Sequence, residues 1–375
     1  GTPFCNLDCS YCYLPNRDDR SRMSLDTIEA SVRWLMREDL IGDQLSIAWH
    51  AGEPMVLSPD WYRRAFEAVD RAAGGREVIH SIQTNATLIT DAWCDLLIER
   101  QIRLGVSLDG PAPLHNAYRI TRNGRGSHAP AMRGIGRLKD RGIPFHVIAV
   151  VSEETARQGD AFIDFMSTLG AVEIGINFEE LEGANGVTSL ARSGVSVAMR
   201  TFLERLVDHA ASDPGLNLRE MRSLVTRLRD PRFRERRRNA ENGPFSIVTI
   251  SAEGDLFSYS PELAGITNPE FGDFRLGNIL TDTLDDMLDG PVCRRMEAAI
   301  ARGVSRCERH CAYFDLCLGG APSNKIAETG RFDVTETISC RHSAQTMSEI
   351  VLNRLERDLK SGTGARARAP VPAAV

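Results

Sequence analysis

Apolar residues recur every three or four positions in the first half of the chain, and short β-rich runs separate these stretches. The helical spacing occurs at 24–41, 59–74, 90–100 and 129–142, and Ser24 and Thr90 are typical helix starts. Short runs typical of β-strands occur at 45–49, 78–83, 102–108, 145–151 and 172–176. This alternation predicts βα units around a parallel sheet whose strands all end on one face. The fold class is therefore α/β, a partial TIM-like (β/α)6 barrel in which a sixth strand would precede Gly1 if native residues are missing there.

The pattern changes after about residue 180. Helical spacing returns at 196–211 and 217–238, and the second of these stretches is rich in arginine, including Arg236, Arg237 and Arg238. We expect this arginine-rich stretch to be a solvated helix face, with binding of an acidic peptide segment as the alternative. Residues 244–260 predict a β-hairpin with its turn near Gly254, and another helix is expected near 343–360. Residues 361–375 are rich in Gly, Ala, Arg and Pro, which predicts a disordered tail.

Composition excludes several functional classes. The chain is 42% hydrophobic and 26% charged, and its formal net charge of −6 does not favour binding to nucleic acid. No run approaches the roughly 18 consecutive apolar residues of a membrane span, and no signal peptide opens the chain. We therefore expect a cytoplasmic protein with neither a membrane nor a nucleic acid as partner.

The nine cysteines carry the strongest chemical signal. Three lie within residues 5–12, four lie between residues 307 and 340, and Cys94 and Cys293 stand alone. An odd number without an export signal argues against a disulfide framework and for metal ligation. For Cys94 and Cys293 we expect inert buried thiols.

Two cysteine clusters result. Cys5, Cys9 and Cys12 can wrap three irons of a [4Fe–4S] cubane and leave one iron open for a cofactor, although a zinc knuckle or a plain electron-transfer cluster has the same ligand type. The second cluster consists of Cys307, Cys311, Cys317 and Cys340. Four cysteines suffice for one complete Fe–S cluster or for one structural zinc, and their spacing alone does not decide between the two.

The first cluster resembles the signature of the radical S-adenosylmethionine (SAM) superfamily, including the aromatic Tyr11 before its last cysteine. Further segments of that family have counterparts at the ends of successive predicted strands: His50-Ala51-Gly52-Glu53-Pro54, Thr84-Asn85 and Ser107-Leu108-Asp109-Gly110. Active sites of βα barrels lie on that face. The resemblance implies cleavage of SAM to a 5′-deoxyadenosyl radical, with SAM contacts from Tyr11, His50, Gly52, Glu53, Asn85, Ser107, Arg119 and Arg122.

The later cysteines resemble a SPASM-type extension, the C-terminal module that carries auxiliary Fe–S clusters in peptide-modifying family members. The cysteines that such modules have near the hairpin are missing here, so we expect one auxiliary cluster, most simply a [4Fe–4S] cluster. The Cys-Asp pair of sulfatase-maturating relatives is missing as well. Asp255, Tyr259 and Glu262 stand nearby, and we expect them to be exposed hairpin residues without a role.

Several longer runs, among them Trp49–Pro54 and Cys311–Pro322, resemble the cyclophane-forming maturases paired with glycine-rich-repeat precursor peptides. This resemblance implies a ribosomally made precursor peptide as substrate, in which an aromatic ring is joined to a nearby Cβ. An electron donor of the flavodoxin or ferredoxin type is implied too. Thioether formation and sulfatase formylglycine maturation are the alternatives, followed by a non-enzymatic Fe–S or zinc protein.

The domain prediction combines these features. We expect a radical SAM partial barrel at 1–190, a helical bridging segment at 191–243, a SPASM-type auxiliary cluster domain at 244–345, and a C-terminal helix and disordered tail at 346–375.

Overall fold

The computed structural model describes residues 1–361, except for the side chain of Arg234. Its first sheet is parallel and runs in the chain order β1 to β5, as the alternation of the sequence predicts. These strands are β1 (Gln44–Trp49), β2 (Glu77–Thr84), β3 (Arg103–Ser107), β4 (His146–Val151) and β5 (Glu173–Phe178). The predicted α/β class is confirmed, with five strands in the described sheet where the sequence analysis allowed for six.

Helices cover the outside of this sheet. They are α1 (Leu25–Arg37), α2 (Pro59–Ala73), α3 (Asp91–Glu99), α4 (Ala112–Tyr118), α5 (His128–Asp140), α6 (Glu153–Arg157) and α7 (Gly159–Thr168). The side chains of Ser24 and Thr90 cap α1 and α3 by accepting hydrogen bonds from the backbone, as their positions predict. Helix α1 ends four residues earlier than its apolar spacing suggested, because Asp39 has a positive φ of 54°.

The second half contains more helix than the spacing predicted. It comprises α8 (Val195–Ser212), α9 (Arg219–Arg229), α10 (Leu284–Asp289), α11 (Pro291–His310), α12 (Phe314–Cys317), α13 (Pro322–Thr329), α14 (Ile338–Cys340) and α15 (Met347–Lys360). The single helix predicted for 217–238 is wrong, because Asp230 and Pro231 end α9 and start a separate 3-10 turn, Pro231–Glu235. A π-helical turn, Arg341–Thr346, connects α14 to α15.

The predicted hairpin is present. Strands β6 (Val248–Ile250) and β7 (Asp255–Ser258) pair antiparallel around Gly254, whose φ of 88° suits glycine. A third short strand, β8 (Gly277–Asn278), which the sequence analysis missed, pairs with β7.

The main apolar core joins the barrel to the helices behind it. Residues of the sheet and its helices share one buried cluster with α8, α9 and α15, through side chains such as Phe202, Leu224 and Val351. A second core, built on Phe271, Phe274 and Phe332, lies among the C-terminal elements. The domain boundaries proposed above stay a prediction, and residues 362–375 of the predicted tail lie outside the described residues.

No helix within residues 1–361 combines the length and apolar character that crossing a membrane requires.

Candidate active site

Three cysteines share the loop that precedes α1. Cys5, Cys9 and Cys12 are half-buried and form no disulfide bond. Burial raises the pKa of the Cys5 thiol to about 12, with Glu53 and the neighbouring thiols adding to it, and burial raises that of Cys9 to about 11. These two thiols therefore keep their protons at neutral pH unless a cation draws them into ligation, which releases protons.

Backbone and side-chain contacts hold this loop in place. Arg122 donates from Nε to the carbonyl of Cys5 at 2.7 Å and from its NH2 group to the carbonyl of Arg17 at 2.5 Å, and it pairs with Asp18. Asn85, which follows β2, donates from Nδ2 to Asn6 Oδ1 at 2.8 Å. The loop is thus fixed from its outer side by Arg122 and from the sheet by Asn85.

Gly52 and Glu53 connect the end of β1 to the cysteine loop. A Cβ added to Gly52, whose φ is 74°, would lie 2.6 Å from the carbonyl oxygen of Phe4, so only glycine fits this approach. The Glu53 carboxylate is 1% exposed and accepts from Thr84 Oγ1 at 2.6 Å and from the backbone N–H groups of Met55 and Asn85 at 3.0 and 2.7 Å. Its oxygens are occupied by protein donors, which leaves the backbone at this turn as the part available to a ligand.

A buried ion pair lies beside the loop at the end of β3. Arg119 donates from Nε and NH2 to Asp109 at 2.9 and 3.1 Å, and Asp109 also accepts from the backbone N–H of Val150 and from the Tyr11 hydroxyl. The guanidinium lies 5.4 Å from the centre of the Tyr11 ring. Burial raises the pKa of the Tyr11 hydroxyl well above its ordinary value, so it stays a hydrogen-bond donor. Asp109 thereby orients two residues that the sequence analysis singled out.

The four later cysteines lie on or beside separate elements around one cavity. Cys307 lies on α11, Cys317 ends α12, Cys340 ends α14, and Cys311 follows α11 directly. Burial raises the pKa of Cys340 to about 11, and the charges of the other three thiolates add to it. All four line one cavity of about 980 Å³, which also reaches the end of β5. Cys293 lies fourteen residues before Cys307 on the same helix, about 21 Å away along its axis, and so is not part of this group.

Three carboxyl groups, Glu180, Glu182 and Glu262, line the same cavity. Burial raises the pKa of Glu180 to about 7, although hydrogen bonds from Ser339 and Asn324 act to lower it. Burial also raises the pKa values of Glu182 and Glu262. Among the described side chains, no lysine, arginine or histidine forms an ion pair with any of them. We call these residues the acid trio.

The acid trio lies between the two cysteine groups. The backbone N–H of Ala184 donates to the carbonyl of Tyr13 at 2.7 Å, so the loop after β5 packs on the first cysteine loop. Burial raises the pKa of the Tyr13 hydroxyl, and the charges of Glu262, Cys12 and Glu182 add to this shift. The Tyr13 ring therefore lies near Cys12 and near the acid trio. On the other side, Glu182 accepts from Ser323 and Asn324 at 2.9 and 2.8 Å, close to the later cysteines.

Two expectations about exposure are wrong. Tyr259 is fully buried and donates to Glu297 at 2.8 Å, and Glu262 is half-buried in the cavity, because the hairpin packs on α11 and does not project into solvent. The arginine-rich stretch is not a uniformly solvated face either. Several of its side chains line the cavity, among them Arg219, Arg222 and Arg238, which pair with Glu220, Glu173 and Glu297.

The comparisons with known proteins place this geometry in a family. The model of the radical SAM superfamily matches residues 1–166. The uncharacterized protein sll1766 of Synechocystis is 38% identical over 366 residues, which cover 96% of this chain and 91% of that protein. The chain belongs to the radical SAM superfamily. Its radical SAM barrel is the part that holds Cys5, Cys9 and Cys12.

Two further comparisons extend beyond the barrel. The serine-type anaerobic sulfatase-maturating enzyme of Bacteroides thetaiotaomicron is 24% identical over 347 residues, which cover 87% of this chain and 81% of that enzyme. Native anSMEcpe with bound AdoMet and a Kp18Cys peptide superimposes with a TM-score of 0.76 at 19% identity, over 96% of this chain and 97% of that one. This second likeness shows that the fold is shared across the barrel and the C-terminal region.

The residues present fit the cofactors that the radical SAM family implies. Cys5, Cys9 and Cys12 offer three free thiols on one anchored loop, the number that leaves one iron of a [4Fe–4S] cluster open to SAM. Within residues 1–361, no three His, Cys, Asp or Glu side chains are arranged around a single metal ion. The fit therefore rests on the spread thiols of the loop and on the glycine turn beside them.

The structure brings together most of the predicted SAM contacts. Gly52, Glu53, Asn85 and Ser107 lie at or just after the ends of β1, β2 and β3, and His50 directly follows β1. Tyr11, in the cysteine loop, reaches this face by donating to Asp109. Burial lowers the pKa of His50, so its ring is neutral at pH 7. Arg122 stands apart, since it binds the outer side of the cysteine loop. Their contacts with SAM stay a prediction.

Asp109 and the acid trio were not predicted as functional residues. Asp109 lies in the segment Ser107–Gly110, where only Ser107 was expected to contact SAM, and Glu262 was expected to be exposed and without a role. The trio could not be assembled from the sequence, because its members meet only through the packing of the β5 loop on the C-terminal region.

Proposed function

We propose that this radical SAM enzyme modifies a ribosomally made precursor peptide by joining an aromatic ring to the Cβ of a nearby residue, which forms a cyclophane. The observation that carries the proposal is the acid trio, which lines one cavity with the four later cysteines and lies near Tyr13 of the first cysteine loop. When bound, SAM and a [4Fe–4S] cluster supply a 5′-deoxyadenosyl radical, and a second cluster supplies an acceptor for one electron.

The reaction on the peptide balances with the groups at hand. One hydrogen atom leaves a substrate Cβ, the resulting carbon radical adds to the arene, and one proton and one electron then leave to restore aromaticity. A carboxyl with a pKa near neutrality is suited to accept that proton at pH 7. Glu180, with its pKa raised to about 7, and its neighbours Glu182 and Glu262 are the groups that we assign to this task.

The walls of the cavity supply positioning. Glu179 is buried and accepts from the backbone N–H of Ser189 at 2.9 Å, which fixes the loop that carries Glu180 and Glu182. The four later cysteines, which line the same cavity, would hold the second cluster. We further propose the SAM contacts, the domain boundaries, a cytoplasmic location and the flavodoxin or ferredoxin type of electron donor as stated from the sequence.

Recognition of the precursor leader is proposed for the arginine-rich stretch. Arg236 lines the cavity and lies 6.0 Å from the Phe233 ring, whereas Arg238 is engaged with Glu297 at 2.8 Å. Charge reversal by Arg236→Glu is expected to weaken precursor binding in a fluorescence titration. Unchanged affinity would remove this stretch from leader recognition.

Formylglycine formation is the second candidate, and the similarity to the Bacteroides enzyme favours it. The lack of a Cys-Asp pair after the hairpin, where this chain has Ser260, Pro261 and Glu262, counts against it. Thioether formation stays the third candidate.

The product distinguishes these candidates. The reconstituted enzyme would be incubated with SAM, dithionite and a precursor encoded beside its gene, and the peptide would be analysed by tandem mass spectrometry. We expect a loss of two hydrogens, a fragmentation gap at an aromatic residue, and no consumption of thiols by alkylation assay. A product that reacts with a hydrazine probe would indicate formylglycine, and consumption of a cysteine thiol would indicate a thioether; either result would contradict the cyclophane.

A further inference from the structure

A single lysine is buried beside the four later cysteines. Lys325 is 5% exposed on α13, and it is one of only three lysines among the 45 basic residues of the chain. Its ammonium donates to Cys307 Sγ at 3.7 Å and forms no ion pair with a carboxylate in the described part of the chain. A chain that uses arginine almost everywhere thus has the compact ammonium of lysine at this position.

Within residues 1–361, no carboxylate forms an ion pair with this ammonium, although the acid trio lines the same cavity. The nearby carboxylate of Asp333 is engaged by Arg331 at 2.8 Å and also by Arg306. Gly303 on α11 leaves room for the ammonium, because a Cβ at that position would lie 3.3 Å from Lys325 Nζ and 2.3 Å from the carbonyl oxygen of Phe332. A lysine is almost never buried this deeply without a negative partner, so its place indicates an anionic group at the cysteines.

We propose that Lys325 is a positioning residue for electron transfer, whose positive charge beside Cys307 raises the reduction potential of an Fe–S cluster held by the four later cysteines. This inference rests on the proposed function, in which that cluster accepts the electron left after the ring closes. Net charge and hydrogen bonds to the ligand sulfurs are among the determinants of cluster potentials.

The direction of the change in reduction potential follows from charge balance. A [4Fe–4S] cluster with four thiolates gains one negative charge when it takes up one electron, and no bond or proton changes place. An ammonium next to a ligand sulfur stabilises the more negative, reduced form more than the oxidised form. Electron uptake from the substrate becomes more favourable, which helps to complete the crosslink.

The test is a redox titration of the reconstituted full-length holoenzyme followed by electron paramagnetic resonance, with and without SAM. The signal that SAM does not alter belongs to the second cluster. Lys325→Met and Lys325→Gln remove the charge at similar length, and Lys360→Met is the matched control, because Lys360 is 80% exposed on α15. Iron would be counted in every sample.

We expect both neutral variants to keep the iron content of the wild type and to titrate at a more negative midpoint potential, while Lys360→Met titrates as the wild type does. Midpoints unchanged in both neutral variants would overturn the inference. If both neutral variants lose the second cluster, Lys325→Arg decides between the outcomes. A second cluster retained in Lys325→Arg supports the need for a positive charge beside Cys307, and a second cluster lost in that variant overturns the inference. A wild type that reconstitutes without any second cluster would instead refute the proposed function at this site.

Discussion

The Asp109–Arg119 pair yields the sharpest stability prediction, because both side chains are buried. Asp109 is 2% and Arg119 8% exposed, and two hydrogen bonds of 2.9 and 3.1 Å join them. The change Asp109→Asn keeps the shape but removes the negative charge and points an amide donor toward the guanidinium. Leaving a buried charge unpaired costs about 3–5 kcal/mol. Since a native protein is stable by roughly 5–15 kcal/mol, this is a large fraction of the total.

The assay is urea unfolding of the metal-free enzyme under reducing conditions, followed by circular dichroism. Asp95→Asn is the control, because Asp95 pairs with Arg141 on the surface, where the side chains are 58% and 37% exposed. Such a pair contributes about 0–1 kcal/mol.

A double variant isolates the interaction. Arg119→Met removes the buried cation, so Asp109→Asn combined with Arg119→Met is expected to lose much less stability than the two single variants do together. We expect the free energy of unfolding of Asp95→Asn to lie within about 1 kcal/mol of the wild-type value. If that of Asp109→Asn does so too, the buried pair does not stabilise the site in the way its burial implies.

Three further predictions follow from the site. Gly52→Ala places a Cβ 2.6 Å from the Phe4 carbonyl oxygen at a φ of 74°, so we expect lower SAM affinity by equilibrium dialysis, whereas Gly42→Ala, with open space around it, should bind as the wild type does. Folding raises the pKa of Glu180 from 4.5 to about 7, so the folded enzyme holds a proton that the unfolded chain releases. The free energy of unfolding should therefore fall as pH rises through this window, and Glu180→Gln should reduce that fall in urea titrations on either side of it; an equally steep fall in the variant would contradict the assignment. Cys94→Ala, at a fully buried position on α3, should leave iron content and SAM cleavage unchanged, and lost iron would make Cys94 a ligand.

The sheet was predictable because short strand-like runs alternate with stretches of helical apolar spacing along the first half of the chain. Strand β1 was predicted within one residue of its observed start, and β4 begins one residue later than predicted. Helix α11 was not predicted, although Met296, Ile300 and Val304 recur every four residues. The cysteines near its ends were interpreted only as possible metal ligands. The break at Pro231 was predictable in principle, because proline inside a helical pattern ends the helix, but the arginine-rich stretch was interpreted as one continuous helix.

The site was predictable only where one segment carries its own signal. The three cysteines of the first loop and Gly52 could be predicted from short motifs, and Gly52 follows strand β1. The cavity could not, because Glu180, Glu262 and Cys340 come from three segments that meet only in the folded chain. Burial of Lys325 was equally invisible, since nothing near it in the sequence distinguishes it from a surface lysine.

The most direct test of the central claim counts iron and measures SAM cleavage in one preparation. The enzyme would be purified without oxygen, reconstituted with iron and sulfide, and assayed with SAM and dithionite. The account predicts about eight irons per chain, for two [4Fe–4S] clusters, and formation of 5′-deoxyadenosine that disappears when Cys5, Cys9 and Cys12 are changed to alanine. Full iron loading without any cleavage of SAM would contradict it.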